Sequence, residues 1–334
     1  MKKTLSLLLV LTAIIGNNTL FAAELPQLHN PQEAVTLLGY DPSITLLQET
    51  DPLVVNSGRK TVYFHGFGGN KDAASLVRRF YGAERLPGDI ITFDFADANN
   101  GNGMDTSKSS LGQWSDVKTA LYVLKKLHDT GETEIGITAH SRGGATAVNV
   151  IAVLADTEGK HTTRLSELGI DQAKQTAMLA MVRNIVLECP LVSLRSVIKH
   201  HIEQTSASSL GKWFTNIFSP SIRVSAVSAD YAAPTILKQY RPWAEHAIES
   251  AALWNGANIP TMVHFQTKDE VLGNELDETF YEKLQASNGD THTYFHKGDD
   301  GGHNSSFESF ARERNLFLKL YSASHWPYGK SSQN

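Results

Sequence analysis

The chain has 334 residues, with 30 Lys and Arg against 35 Asp and Glu, for a formal net charge of −5 at neutral pH. Its basic residues are dispersed along the sequence, which argues against a nucleic-acid partner, because phosphate binding needs a concentrated basic face. Cys189 is the single cysteine, so no disulfide can form within the chain and stability must come from the core, where Cys189 itself reads as a small buried hydrophobe.

At the N-terminus, Met1-Lys2-Lys3 is a positive start, and 5–15 is apolar apart from Ser6 and Thr12. The small pair Ala22-Ala23 follows a polar stretch. That order reads as a secretory signal peptide over 1–23, too short and wrongly flanked for a membrane span. Leu20 or Phe21 occupies the outer cleavage position, where a small residue is preferred, so an uncleaved N-terminal anchor stays open as the alternative. No later run is apolar and long enough to cross a bilayer. The expectation is a mature chain outside the cytoplasm, secreted or periplasmic, with no stable membrane insertion.

After a lead-in with a helix expected over 31–38 and an edge strand over 43–47, a regular alternation begins. Short β-rich runs at 61–64, 90–93, 134–138, 184–187, 261–266 and 291–296 alternate with helical patterns at 72–81, 113–128, 143–155, 171–181, 277–286 and 306–321. Val117, Leu121, Leu124 and Leu127 show the helical stripe. Strands separated by helices predict an α/β architecture with a mostly parallel, doubly wound sheet. One connection is far too long for a crossover, about 70 residues between Pro190 and Pro260. It carries Trp213, Phe214, Phe218, Tyr231, Tyr240, Trp243 and Trp254. The expected division is a first core part over 24–190, a helical cap inserted over 191–259, a second core part over 260–327 and a polar tail over 328–334.

The strongest chemical signal is Ile135-Gly136-Ile137-Thr138-Ala139-His140-Ser141-Arg142-Gly143-Gly144, where a β-run meets a helix at a serine flanked by small residues. A nucleophilic serine on a sharp strand-to-helix turn needs small neighbours, because the flanking chain passes too close for large side chains. The helix then points its N-terminal dipole at developing negative charge. Ala207-Ser208-Ser209-Leu210-Gly211 matches the same five-residue pattern, but no strand precedes it. A plain helix N-cap is the alternative role for Ser141.

A glycine-rich turn, His65-Gly66-Phe67-Gly68-Gly69, follows the first core strand. Rigid backbone N–H groups suit an oxyanion, and those of Phe67 and Arg142 are the expected donors. A serine nucleophile needs a base, and the base needs an orienting acid. Asp269 falls just past the strand at 261–266, and His303 falls in the loop after 291–296, which places both at the sheet edge where Ser141 lies. Glu188, at the end of its own strand, is the alternative acid, with Glu270 the neighbour of Asp269. His65 and His140 read as shaping the site, His292 and His296 as structural, and His200-His201 as a cap-helix surface. No spacing insists on a metal, and Asp299-Asp300 reads as a solvated turn rather than a calcium site.

On His65-Gly66-Phe67-Gly68, Ala139-His140-Ser141-Arg142-Gly143, Asp269 and His303, the chain resembles the α/β-hydrolase superfamily from about Arg59 to Lys319. The alanine-first elbow is similar to that of some bacterial lipases. The resemblance implies a Ser141–His303–Asp269 mechanism, no cofactor and a cap over the site; hydrolysis of a small-molecule or lipid-like ester is the leading expectation. The loop over 94–116 is longer than that family's usual one, and a peptidase, a thioesterase or a non-catalytic binding protein can share the same framework.

Overall fold

A computed structural model describes residues 33–36, 43–47, 60–73, 89–96, 110–193, 196–197, 200, 247–289, 293–299, 301–305, 314 and 317–318. The region read as signal peptide, the polar tail, the decoy serine pattern at 207–211 and the cap over 194–195, 198–199 and 201–246 lie outside them.

Eight strands form one sheet: β1 (Glu33–Thr36), β2 (Ser43–Leu47), β3 (Lys60–Phe64), β4 (Asp89–Thr92), β5 (Ile135–His140), β6 (Val182–Glu188), β7 (Thr261–Gln266) and β8 (Thr293–Gly298). Their spatial order is β1-β2-β4-β3-β5-β6-β7-β8. The six strands from β4 to β8 are mutually parallel, while β1 and β2 add an antiparallel edge. This is the expected α/β class with a mostly parallel sheet. All six expected core strands are present, with no end shifted by more than two residues.

β5 is central and every one of its residues is buried. Ile135, Ile137 and Ala139 line one face, while Gly136, Thr138 and His140 are buried on the other, as in a strand covered on both sides. Helices α1 (Trp114–Asp129), α2 (Arg142–Leu154), α3 (Thr162–Glu167), α4 (Gln172–Met181), α5 (Ala247–Ala251) and α6 (Asp277–Asn288) accompany the sheet. α1 buries Val117, Ala120, Leu121, Leu124 and Leu127 along one stripe. α2 is buried all round, Arg142 to Leu154 without exception, as a helix packed between a sheet and other helices must be. α4 is capped at its start by Asp171, whose side chain accepts from the Lys174 N–H.

Two expectations need correction. The helix expected over 31–38 is the strand β1, because four residue pairs, Glu33 to Thr36 against Leu46 to Ser43, tie it to β2; pairing overrides local helix preference. The helix α3 had no counterpart in the sequence reading, its one buried residue being Leu165. Of the long insertion, the described return limb packs into the core. Ala247, Ile248, Ala251 and Trp254 are buried, and the Trp254 indole N–H donates to the Val148 carbonyl of α2 at 3.1 Å. Trp254 is therefore a core residue.

Candidate active site

Ser141 joins β5 to α2 with φ 53° and ψ −118°, a conformation that costs an L-residue on the order of 1–3 kcal/mol. Three backbone bonds hold it there. Its N–H donates to the Glu188 carbonyl at 3.0 Å, and its carbonyl accepts from Ala145 at 3.2 Å and Leu191 at 3.0 Å. Among the described residues its hydroxyl makes no capping bond to α2, so the N-cap reading gains no support. The small residues after it are required by neighbouring chain. A Cβ on Gly143 would lie 2.0 Å from the Phe64 carbonyl oxygen of β3, and one on Gly144 would lie 2.7 Å from Pro190 Cβ.

The turn after β3 lies against this elbow, since the place where Gly66 would carry a Cβ is 3.0 Å from His140 Nδ1 and 3.4 Å from Ser141 Cβ. Gly68 adopts φ 74°, and the Gly69 N–H closes the turn on the Gly66 carbonyl at 3.2 Å. Arg142 links the two expected oxyanion donors. Its guanidinium lies 5.9 Å from the Phe67 ring centroid and 4.6 Å from that of Phe95. It is fully buried and grips Asp116 with two bonds, Nε to Oδ2 at 2.8 Å and Nη2 to Oδ1 at 2.6 Å. Asp116 Oδ2 also accepts the Gly112 N–H at 2.9 Å. This bidentate pair fixes the first residue of α2 from below, and sequence spacing gave no hint of it.

On the other side of the elbow, His303 and Asp269 meet at 2.7 Å, Nδ1 to Oδ2. Both are buried. The other carboxylate oxygen of Asp269 accepts the N–H groups of Val271 at 2.9 Å and Leu272 at 2.7 Å. Burial alone would raise this carboxyl, but the His303 charge and hydrogen bond and those two N–H groups outweigh it and hold it below the usual aspartate range. Glu270 takes a supporting role: its Oε2 accepts the His303 N–H at 3.1 Å, and a Cβ on Gly302 would lie within 2.2 Å of the same carboxylate. Glu188 turns elsewhere, its Oε1 accepting from Arg314 Nη1 at 2.7 Å with both side chains fully buried.

The nearby histidines are neutral by environment. His140 packs against His303 with the rings tilted by 40°, centroids 4.8 Å apart, and places Nε2 3.3 Å from the His303 carbonyl. Burial, reinforced by the His303 charge, pushes its pKa down to about 3. His65 Nδ1 sits 2.8 Å from the Gly66 carbonyl, so that nitrogen carries the proton, and Nε2 accepts the Phe95 N–H at 3.4 Å. Burial and then the Arg142 charge push His65 down to about 4. Further back, His264 and His296 stack with Nδ1 atoms 2.8 Å apart, in keeping with a structural role for His296. His200 is helical and half-buried, and its ring lies against Gly273. Asp299 is exposed and accepts the Thr267 hydroxyl at 3.0 Å, as a solvated turn does.

The structure thus brings Asp269 and His303 into contact, sets Ser141 in a strained elbow at the same edge, and lays the Phe67 loop on that elbow. Glu188 it directs to Arg314. Among the described residues no helix is long and apolar enough to cross a membrane.

No protein-family model matches the chain, and no curated protein matches it by sequence. Solved structures do resemble it. The Pyrococcus furiosus esterase Pf2001 superposes with a TM-score of 0.53 at 14% identity, covering 88% of this chain and 90% of that one. The Lactobacillus plantarum carboxylesterase Cest-2923 gives 0.53 at 11%, covering 88% and 95%. A Thermogutta terrifontis esterase, Est2 with butyrate bound, gives 0.53 at 12%, covering 90% and 97%. The chain has the α/β-hydrolase fold.

Proposed function

We propose that the protein is a serine hydrolase that cleaves carboxylic esters through an acyl-enzyme on Ser141. The observation that carries this reading is the buried 2.7 Å contact between His303 Nδ1 and Asp269, at the sheet edge where Ser141 is held with φ 53°. A strained serine at such a turn has no structural purpose among its described contacts, and an aspartate that orients an imidazole is what a hydroxyl nucleophile requires.

His303 Nε2 accepts the Ser141 hydroxyl proton as Oγ bonds to the ester carbonyl carbon, and Asp269 stabilises the imidazolium. The carbonyl oxygen becomes an oxyanion held by the Phe67 and Arg142 N–H groups. The imidazolium then protonates the departing alkoxide, leaving an acyl-serine. Water, deprotonated by His303, attacks that ester, and the carboxylic acid leaves as the proton returns to Ser141. Each oxyanion donor contributes about 10²–10³ in rate. The solved structures of this fold reported above are esterases, one of them with butyrate bound, which supports a carboxylic ester of modest size as substrate. The dispersed charge supports a small-molecule partner rather than nucleic acid, and the leader-like N-terminus supports a place outside the cytoplasm.

A fluorophosphonate probe tests the nucleophile. Wild type should label and Ser141→Ala should not, with both folded by circular dichroism. An unlabelled, folded wild type would leave only a binding role for the fold, and labelling that survives Ser141→Ala would move the nucleophile elsewhere. A series of p-nitrophenyl esters from butyrate upward should then show turnover. Probe labelling without turnover on any of them would point to an amide or thioester.

A further inference from the structure

Cys189 follows the last residue of β6 with φ 42° and is wholly buried. Its N–H donates to the His264 carbonyl at 2.8 Å, so the backbone there is fixed. The mechanism above makes no use of its thiol. Yet one ligating atom each from Cys189, Asp269 and His303 lies within 4.8 Å of both others, and all three residues are buried. A thiolate, an imidazole and a carboxylate are a donor set for zinc. Tetrahedral zinc, with bonds of about 2.0–2.3 Å, sets its ligand atoms about 3.3–3.7 Å apart, a spacing that small side-chain rotations reach from here. Charge agrees as well. A divalent cation with one thiolate and one carboxylate is neutral overall, which limits the cost of burying it.

We infer that Cys189, Asp269 and His303 form a binding site for a soft divalent cation of the zinc type, and that occupancy of this site switches the triad off. The inhibitory half rests on the hydrolase reading; the binding half does not. Binding exchanges the Cys189 thiol proton for the metal and makes no other covalent change. Whichever ring nitrogen of His303 the cation takes, catalysis stops. Ligation at Nδ1 displaces the bond to Asp269, and ligation at Nε2 removes the lone pair that accepts the serine proton.

The test uses zinc and cobalt chlorides on the full chain, with Cys189→Ser and Cys189→Ala as variants. Folded wild type should bind one cobalt ion with a thiolate-to-cobalt charge-transfer band that both variants lack, and zinc should displace the cobalt. Ester hydrolysis should fall to the background in zinc and return with chelator. The variants should hydrolyse ester like wild type yet need about a hundredfold or more zinc for half inhibition, since even the loss of an outer partner of a metal site costs 10–100-fold. Absence of the charge-transfer band in folded wild type overturns the site. Equal zinc sensitivity of wild type and both variants overturns it too. If the band is present and cysteine-dependent while no ester is turned over and no probe labels, the metal site stands and the hydrolase reading falls.

Discussion

At the scale of single residues, burial decides protonation more than sequence neighbours do. Asp277 opens α6, where a helix N-terminus ordinarily favours a carboxylate. Here the side chain is 2% exposed and its Oδ2 has no hydrogen-bond partner among the described residues. Burial pushes its pKa up to about 7, with Lys297 opposing and Asp269 and Glu278 adding. The unfolded chain releases this proton near 3.9, the ordinary aspartate value. Between about pH 4 and pH 7 the folded state therefore holds more protons, and stability falls as pH rises through that window. Asp277→Asn removes the titration. Urea unfolding should show the variant more stable than wild type at pH 8 by about 1–3 kcal/mol, with the gap closed or reversed at pH 4. An unchanged gap across that range would rule the assignment out. The same scale shows what the sequence could tell. Ser141, Asp269 and His303 were legible because each sits just past the C-terminal end of a recognisable β-run. The placement of Cys189 beside them was not, since nothing in a lone cysteine after Glu188 says which way its thiol points, and the Asp116 grip on Arg142 is equally hidden by the helix and strand between them.

Among elements, the elbow depends on how closely β3 passes α2. The carbonyls of Phe64 and His65 occupy the space beside Gly143, at 2.0 and 2.9 Å from an added Cβ. Backbone atoms of a central strand cannot give way as a flexible side chain would. Gly143→Ala must shift α2 off the sheet or move β3, and either change disturbs Ser141 and the Phe67 loop together. The expected result is a loss of about 3 kcal/mol or more by urea unfolding, at the upper end of overpacking costs, with probe labelling of Ser141 abolished even where the chain folds. A variant that labels at the wild-type rate would mean the two elements separate without cost. The contact also explains why element type was readable and some boundaries were not. α1 and α2 announce themselves by apolar spacing, and β5 by its alternating Ile135, Ile137 and Ala139. β1 is a strand because β2 lies next to it, which no local pattern of Glu33-Ala34-Val35-Thr36 encodes.

For the whole molecule, the question is which of two buried acids serves the chemistry and which serves the fold. Glu188 and Arg314 are 126 residues apart, both fully buried, and joined at 2.7 Å. The pair thus ties the end of a central strand to the C-terminal part of the chain. Its charge reaches Tyr63 on β3, whose phenol is raised first by burial and then by Glu188. Removing one member strands the other charge, at about 3–5 kcal/mol. Asp269 differs. In Asp269→Asn the side-chain oxygen can keep the Val271 and Leu272 N–H bonds, so the turn survives, but the amide cannot stabilise an imidazolium or hold the same tautomer. The two variants should therefore separate cleanly. Glu188→Gln should lower stability by about 3–5 kcal/mol while its folded fraction labels at Ser141 within a few-fold of wild type. Asp269→Asn should lose little stability and slow labelling by about 10³–10⁴. If the effects are exchanged, with Glu188→Gln stable and inert, the catalytic acid lies on β6 and the Asp269–His303 contact is structural.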